Sequence, residues 1–485
     1  MDEVTIEYYA SRVEELISGI DAGDFSGEII PDKYRWEHLA GLFYLRDRLD
    51  GGDEFFSDIY RLAIQSGINY VRRKVQREEK IIVCFQNYSA AQWPAEEFYS
   101  RISNTKGVDA RVLVSPLADR DEESRMDAYR KTLKWFLENG YKVIEGINQS
   151  KGSFIRWADM DAFPDVLYMT SPWFYSLPSA QWFTLLPLRC LPAYIPYGMY
   201  LADSRDGSYA IDAVYNKDCA NLTWRVYCDS IYNLNGYKNH QLLRGENVRY
   251  SGYVKMDYFY TSPEFSDEKI AELWKIPRGM NPKVIKKIII APHFSISSGR
   301  DINYSTFREN AWFFLYLARK YKDDISFVFK PHPNLRIYAV ASKMFRSYED
   351  YDKYIEEWNS LPNAKVVQEA SYLEYFASSD AMIMDSGSFL GEYLYTGKPL
   401  LYLRRPEQTF MEIGWKVLDA YYQTPGENYT EIENFVEKVV IGGEDNMLSQ
   451  RKRVFEEEFN YQKANGISAT DYLYQDFINL ISDDV

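Results

Sequence analysis

The stretch "ISFVFKPHPNLR" (325–336) decides how the second half of the chain folds. Its first five residues form a short, mainly apolar run that stops at a lysine, and two prolines then bracket a histidine. Such a run suits a strand covered on both faces, which belongs in a parallel sheet between helices. Pro331 and Pro333 fix their own φ, and Pro333 also drives His332 toward extended backbone. The strand is therefore expected to end in a rigid turn that presents Lys330 and His332.

The same rhythm continues on both sides. "KKIIIA" (286–291), "AKVVQ" (364–368), "AMIM" (381–384) and "PLLYL" (399–403) read as further strands, the last two being the final strands expected. Helix-period stretches separate them, at 306–321 and 371–379, each opened by an expected capping box: Thr306 with Glu309, and Ser371 with Glu374. Upstream, "KIIVCF" (80–85), "ARVLVS" (110–115), "YKVIEG" (141–146), "PDVLYM" (164–169) and "LPAYIP" (191–196) alternate with helical patterns such as "EESRMDAYRKTLKWFLENG" (122–140). Alternation of this kind predicts an α/β protein with two doubly wound parallel-sheet domains in tandem. The expected boundaries are a helical N-terminal extension at 1–77, a first domain at 78–260 and a proline-bearing linker at 261–284. A second domain at 285–450 follows, with helices at 451–485 returning to the first domain. No repeat of about 20 to 50 residues is present.

Composition narrows the function. A chain of 485 residues exceeds what one core supports. With 71 acidic against 56 basic residues, the net charge of −15 argues against nucleic-acid binding, which depends on neutralising phosphates. The four cysteines are scattered without a C-x-x-C pair, so a zinc knuckle and a disulfide framework are both disfavoured, and a reducing cytoplasm fits. The start "MDEVTIEYYASRVEELI" lacks a basic, apolar signal sequence, and the apolar run at 182–202 is broken by Arg189 and three prolines, which reads as core. The basic cluster "VRRKVQR" (71–77) reads as a solvated helix face, with contact to an anionic membrane surface as its alternative.

Ligands in sheets of this class sit beyond the carboxyl ends of the strands. In the second domain those positions hold His293, then Lys330 and His332, then Asp385, Ser386, Gly387 and Ser388. The loop "DSGSFLGEY" (385–393) combines hydroxyls and a glycine with a helix start whose free N–H groups suit an anion. Glu392, one turn on, is placed to meet ribose or polyol hydroxyls. Lys330 and His332 offer two donors to a phosphate, and the serines and Arg300 of "APHFSISSGR" (291–300) suit an anion-contacting loop around His293. The plain alternatives are a serine N-cap, a capped strand end and a polar loop. His38 and His240 read as structural.

Other chemistries find no support. Asp159 and Asp161 form an Asp-x-Asp that precedes a strand instead of following one, so no metal site is expected. A Gly-x-x-x-x-Gly-Lys-Ser/Thr loop and a Gly-x-Gly-x-x-Gly after the first strand are both absent.

Three features together resemble the CDP-glycerol:poly(glycerophosphate) glycerophosphotransferases and related polyol-phosphate transferases of teichoic acid and capsule synthesis. They are Lys330-Pro331-His332-Pro333, the Ser379-Asp380 strand leading to Asp385-Ser386-Gly387-Ser388, and Lys398-Pro399; "GYVKMDYF" (252–259) also looks like the family's end of the first domain. The resemblance covers roughly 190–405. It implies a GT-B-like architecture and transfer of glycerol phosphate from CDP-glycerol to a hydroxyl of a glycan or lipid-linked acceptor, with release of CMP and no further cofactor. It also implies a cytoplasmic protein working at the inner face of the membrane. Carried over, His332 would contact the donor phosphates, Ser386, Gly387 and Ser388 would bind them, and Asp385 would shape the loop. The family's His-Gly pair in the first domain is replaced by Tyr197-Gly198. A phenol with a pKa near 10 is a poor base at neutral pH, so His293 or Asp203 would take the proton, or Tyr197 would only position the acceptor. An inverting nucleotide-sugar glycosyltransferase and a non-catalytic nucleotide-binding homologue are the competing readings.

Overall fold

The computed structural model describes residues 36–46, 52–148, 150–204, 207–261, 263–296, 303–368 and 371–482, with 36–38, 55 and 388 described by their backbone alone. Two compact units emerge: the described residues of Met1–Gly198, Ile211–Lys255 and Tyr461–Val485, and those of Met199–Ala210 and Met256–Asn460.

In the first unit the strands are β1 (Ile81–Asn87), β2 (Val108–Val114), β3 (Val143–Glu145), the hairpin β4 (Ile147–Asn148) and β5 (Ser153–Phe154), then β6 (Val166–Met169), β7 (Leu191–Tyr194), β8 (Arg225–Cys228) and β9 (Val248–Tyr250). All but the hairpin form one parallel sheet in the order β3-β2-β1-β6-β7-β8-β9. The order reverses between β1 and β6, the mark of a doubly wound sheet.

Of the expected extension, residues 1–35 lie outside the described residues; the remainder holds the helices Trp36–Leu45 and Gly52–Gln76. The cluster at 71–77 is more than a solvated face. Val71 is fully buried, Lys74 reaches the buried Asp165 at 2.7 Å, and Arg72 donates to the Leu480 carbonyl. Asp165 also accepts the Ile82 N–H at 2.7 Å, so one carboxylate ties the long helix to two strands. The returning C-terminal segment begins at Tyr461, later than the expected residue 451. Its last helix, Ala469–Ile481, is held by Asp476, which accepts from Arg225 and Tyr227, each at 2.9 Å.

The second unit holds β10 (Lys286–Ala291), β11 (Ile325–Phe329), β12 (Ala364–Val366), β13 (Ala381–Met384), β14 (Leu400–Arg404) and β15 (Tyr422–Pro425). All pair in parallel, in the order β12-β11-β10-β13-β14-β15, with the reversal between β10 and β13. β10, β11 and β13 are nearly or wholly buried along their length, as expected of strands covered on both faces. Ile290 pairs with Phe329 and Ala291 with Met384, so the three chains leave the sheet at the same level.

Several local expectations are corrected. β15, on the sheet edge, was not foreseen. The linker at 261–284 contains the helix Asp267–Leu273, capped by Ser266, and the buried Trp274 donates to Ser378 at 2.8 Å, which makes this segment part of the second unit. The chain also lends Met199–Ala210 to that unit, where Met411 N–H bonds the Leu201 carbonyl at 2.9 Å. Neither capping box forms: Thr306 gives its hydroxyl to Asp385, and the helix Leu373–Ser378 starts after Tyr372 without a side-chain cap. Two Rossmann-like parallel sheets in one chain give a GT-B-like α/β fold.

Candidate functional site

The adjacent strands β11, β10 and β13 deliver the candidate residues to one edge, at the sheet's reversal point, where ligands of open α/β sheets bind. The exits are stitched together by hydrogen bonds. Lys330 N–H donates to the Ile290 carbonyl at 2.8 Å, and His332 N–H to the Pro292 carbonyl at 3.3 Å. Asp385 closes the other side. One oxygen of its buried carboxylate accepts the His293 N–H at 2.6 Å; the other accepts the Thr306 N–H at 2.6 Å and the Thr306 hydroxyl at 2.9 Å. Burial raises this carboxyl to about 6 despite those donors, because the charged form is removed from water. Asp385 is thus a framework residue that fixes where β10 and the helix Phe307–Lys320 begin and end.

Two imidazoles meet above it. The rings of His293 and His332 lie 5.3 Å apart, edge to face, with Phe294 4.5 Å from His332. His332 Nδ1 accepts the Asn334 N–H at 3.1 Å, and His293 Nδ1 accepts the Ser295 N–H at 3.3 Å. Each neutral ring therefore carries its proton on Nε2. Burial, with Lys330 adding repulsion, lowers His332 to about 4; burial and His332 hold His293 well below its ordinary range. At pH 7 both are uncharged hydrogen-bond donors. The positive charge comes from Lys330, which is 8% exposed and places Nζ 5.7 Å from the Tyr372 ring centre.

The loop after β13 differs from expectation in detail. Ser386 is buried, and the helix it leads to, Ser388–Glu392, has only five residues before a turn at Tyr393–Thr396. Gly387 has φ −79°, a value open to any residue, and an added Cβ would sit at an ordinary 3.7 Å from Ala202. Backbone geometry alone does not demand glycine there. The Ser388 side chain, Arg300 and the serines at 297 and 298 lie outside the described residues. Glu392 is 2% exposed and accepts the Tyr372 hydroxyl, so it supports that ring instead of standing open for a ribose.

Asp203 belongs to the same unit through the Met199–Ala210 segment. Its carbonyl accepts the Thr409 hydroxyl at 2.6 Å, while Oδ1 accepts the N–H groups of Ser204 and Ala210 at 2.8 and 3.3 Å. Tyr304, whose ring lies 5.6 Å from His293, donates to the Thr409 carbonyl. Tyr197 lies in the other unit, after β7. There Tyr253 donates to its carbonyl at 2.6 Å and Trp173 to its hydroxyl at 3.4 Å, and burial raises its phenol above the ordinary 10.

Arg405 was not foreseen. Following β14, it donates to the carbonyls of Ile296 and Ser305 at 3.2 and 3.1 Å, and so holds both arms that flank the site. Its only signal in the sequence was its place at a strand end. His240 is stacked on Tyr215, and the side chain of His38 is outside the described residues. Asp159 and Asp161 are paired with Arg156 and Arg111, and among the described residues no group of three or more side chains suits a metal ion.

Neither a family model nor a curated protein matches the sequence. Solved structures do. A variant of the wall teichoic acid polymerase TagF is similar over 87% of this chain and 94% of its own, with a TM-score of 0.51 and 10% identity. A TagF variant soaked with CDPG covers 86% and 94%, with a TM-score of 0.50 and 12% identity. UDP-GlcNAc 2-epimerase from Neisseria meningitidis, bound to UDP-GlcNAc, covers 82% and 100% at 15% identity and a TM-score of 0.49. At such identities the likeness is one of fold, and the chain shares with TagF a GT-B-like fold of two Rossmann-like units.

Proposed function

We propose that this protein is a nucleotide-dependent transferase that moves glycerol phosphate, or a related polyol phosphate, from a CDP-linked donor to a hydroxyl of a glycan or lipid-linked acceptor. The observation that carries the reading is the meeting of His293, Lys330, His332 and the Asp385-Ser386-Gly387 loop at the ends of three adjacent strands. In this arrangement Lys330 supplies the charge, and the Nε2–H of His332 is a preorganised neutral donor for a phosphate oxygen.

The acceptor oxygen attacks the phosphorus that carries the polyol. A new P–O bond forms, the bond to the bridging oxygen breaks, CMP leaves with that electron pair, and the acceptor proton passes to a base. Burial raises the Tyr197 phenol further above 10 and keeps it protonated at neutral pH, so it is not the base, and Asp203, which lies in the same unit as His332, is assigned the proton. The second reading is a glycosyltransferase that uses a nucleotide sugar, because donors at the ends of β10, β11 and β13 suit the diphosphate of either kind of nucleotide donor.

Incubation with CDP-glycerol, CDP-ribitol and UDP-N-acetylglucosamine, with nucleotide release followed, separates the readings. CMP release that falls about 100- to 1,000-fold in His332→Ala supports the proposal. UDP release alone supports the second reading, and binding without any release refutes both.

Among the described residues no helix is long and apolar enough to cross a membrane. Work at the inner membrane face is proposed from the acceptor's chemistry alone.

A further inference from the structure

The first unit carries an unassigned cavity of about 260 Å³, lined by Arg46, Asp53, Asn216, Lys238, His240 and Arg244 among others. The helix Ile231–His240 starts after β8 and ends before β9, which puts the cavity at the edge where strands begin. Tyr197 follows the end of β7, at the opposite edge of the same sheet.

The cavity floor is rigid. Gln241 is 3% exposed, donates to the Ala220 carbonyl and Asn247 Oδ1 at 2.7 and 2.8 Å, and accepts the Gly245 N–H at 2.8 Å. Asn221 Oδ1 accepts the Leu242 N–H at 3.1 Å. Arg244 is held there at φ 49°, in the left-handed region that a non-glycine residue enters only at a cost.

The rim is positive. Arg46 leans on Asp53 at 3.7 Å, whereas Lys238, His240 and Arg244 have no ion pair among the described residues. The His240 ring lies nearly parallel to Tyr215, whose hydroxyl donates to Asn233 at 2.6 Å. In a chain with a net charge of −15, Lys238 and Arg244 gathered around a preformed polar hollow single out an anion. The planar arginine fork, the lysine point charge and the amides of Asn216 and Asn239 match the oxygens of a phosphate.

We infer that this cavity is a second phosphate site, built by Lys238, His240 and Arg244, which takes a phosphate ester from solution or from a lipid headgroup. It is independent of the transferase reading.

The test uses the full chain and the double variant Lys238→Ala/Arg244→Gly. Glycine adopts φ 49° freely, so the variant keeps its fold while losing both charges. Thermal unfolding is followed in glycerol 3-phosphate against sodium chloride of equal ionic strength, and sedimentation with phosphatidylglycerol vesicles against phosphatidylcholine vesicles. His332→Ala is run alongside to remove any contribution from the candidate site of the other unit.

A saturable rise of about 2 to 4 °C in the wild type and in His332→Ala, lost in the double variant, supports a soluble phosphate ester. Binding to phosphatidylglycerol vesicles that disappears in the double variant supports the headgroup. Equal behaviour of wild type and double variant in both arms overturns the inference.

Discussion

Asp385→Asn tests how the strand ends are held. The wild-type carboxylate is 1% exposed and accepts three hydrogen bonds, and its pKa rises from 3.8 to about 6. A folded-state pKa above the unfolded one means that the group contributes stability at low pH and loses it as pH rises through 6. The shift of about two units corresponds to about 3 kcal/mol, of which about 2 is recovered between pH 7.5 and 4.5. His332, lowered to about 4, works in the opposite direction, because its unfolded state takes up the proton first as pH falls below 6.5. The difference between wild type and variant cancels that contribution. Asparagine does not titrate, and its amide faces N–H donors, which costs a pH-independent ~1 to 3 kcal/mol. Urea unfolding at the two pH values, read by pulsed hydrogen exchange on peptides from β10 and β13, confines the measurement to the second unit. The wild type should gain about 2 kcal/mol more than Asp385→Asn on going to pH 4.5. Equal gains, or a larger gain in the variant, would refute the assignment of a buried, ionised Asp385.

Two further predictions concern the first unit. Lys74→Met leaves the buried Asp165 without its 2.7 Å partner and should destabilise that unit by about 3 to 5 kcal/mol, whereas Lys74→Met/Asp165→Asn should recover part of the loss in urea unfolding. Gly252 has φ 85°, and an added Cβ would lie 2.0 Å from the Tyr461 ring. Gly252→Ala should therefore cost at least about 2 kcal/mol and make the C-terminal helix Ala469–Ile481 the first segment to exchange its amide hydrogens.

The strands were legible because burial on both faces writes continuous apolar runs, as at Lys286–Ala291 and Ile325–Phe329. Tyr422–Pro425 was not, because an edge strand with exposed residues and a proline carries no such run. The helix starts at Thr306 and Leu373 misled for a different reason. A local cap is written in neighbouring residues, but the partner that claimed Thr306 is Asp385, 79 residues away. The place of Met199–Ala210 was also hidden, since the groups that hold it, Met411 N–H on the Leu201 carbonyl and the Thr409 hydroxyl on the Asp203 carbonyl, lie some 200 residues away in the sequence. At the site, positions at strand ends could be read from sequence, but orientations could not. Glu392 turned to Tyr372, and Arg405 took hold of two carbonyls that no spacing rule connects to it.

Calorimetric titration of CDP into the wild type and into His332→Asn most directly tests whether the exits of β10, β11 and β13 hold a nucleotide's phosphates. CDP should bind the wild type, and the variant, folded by its unfolding curve, should bind at least about tenfold more weakly, as loss of a donor to a charged group implies. CDP binding of equal strength in both proteins would contradict it.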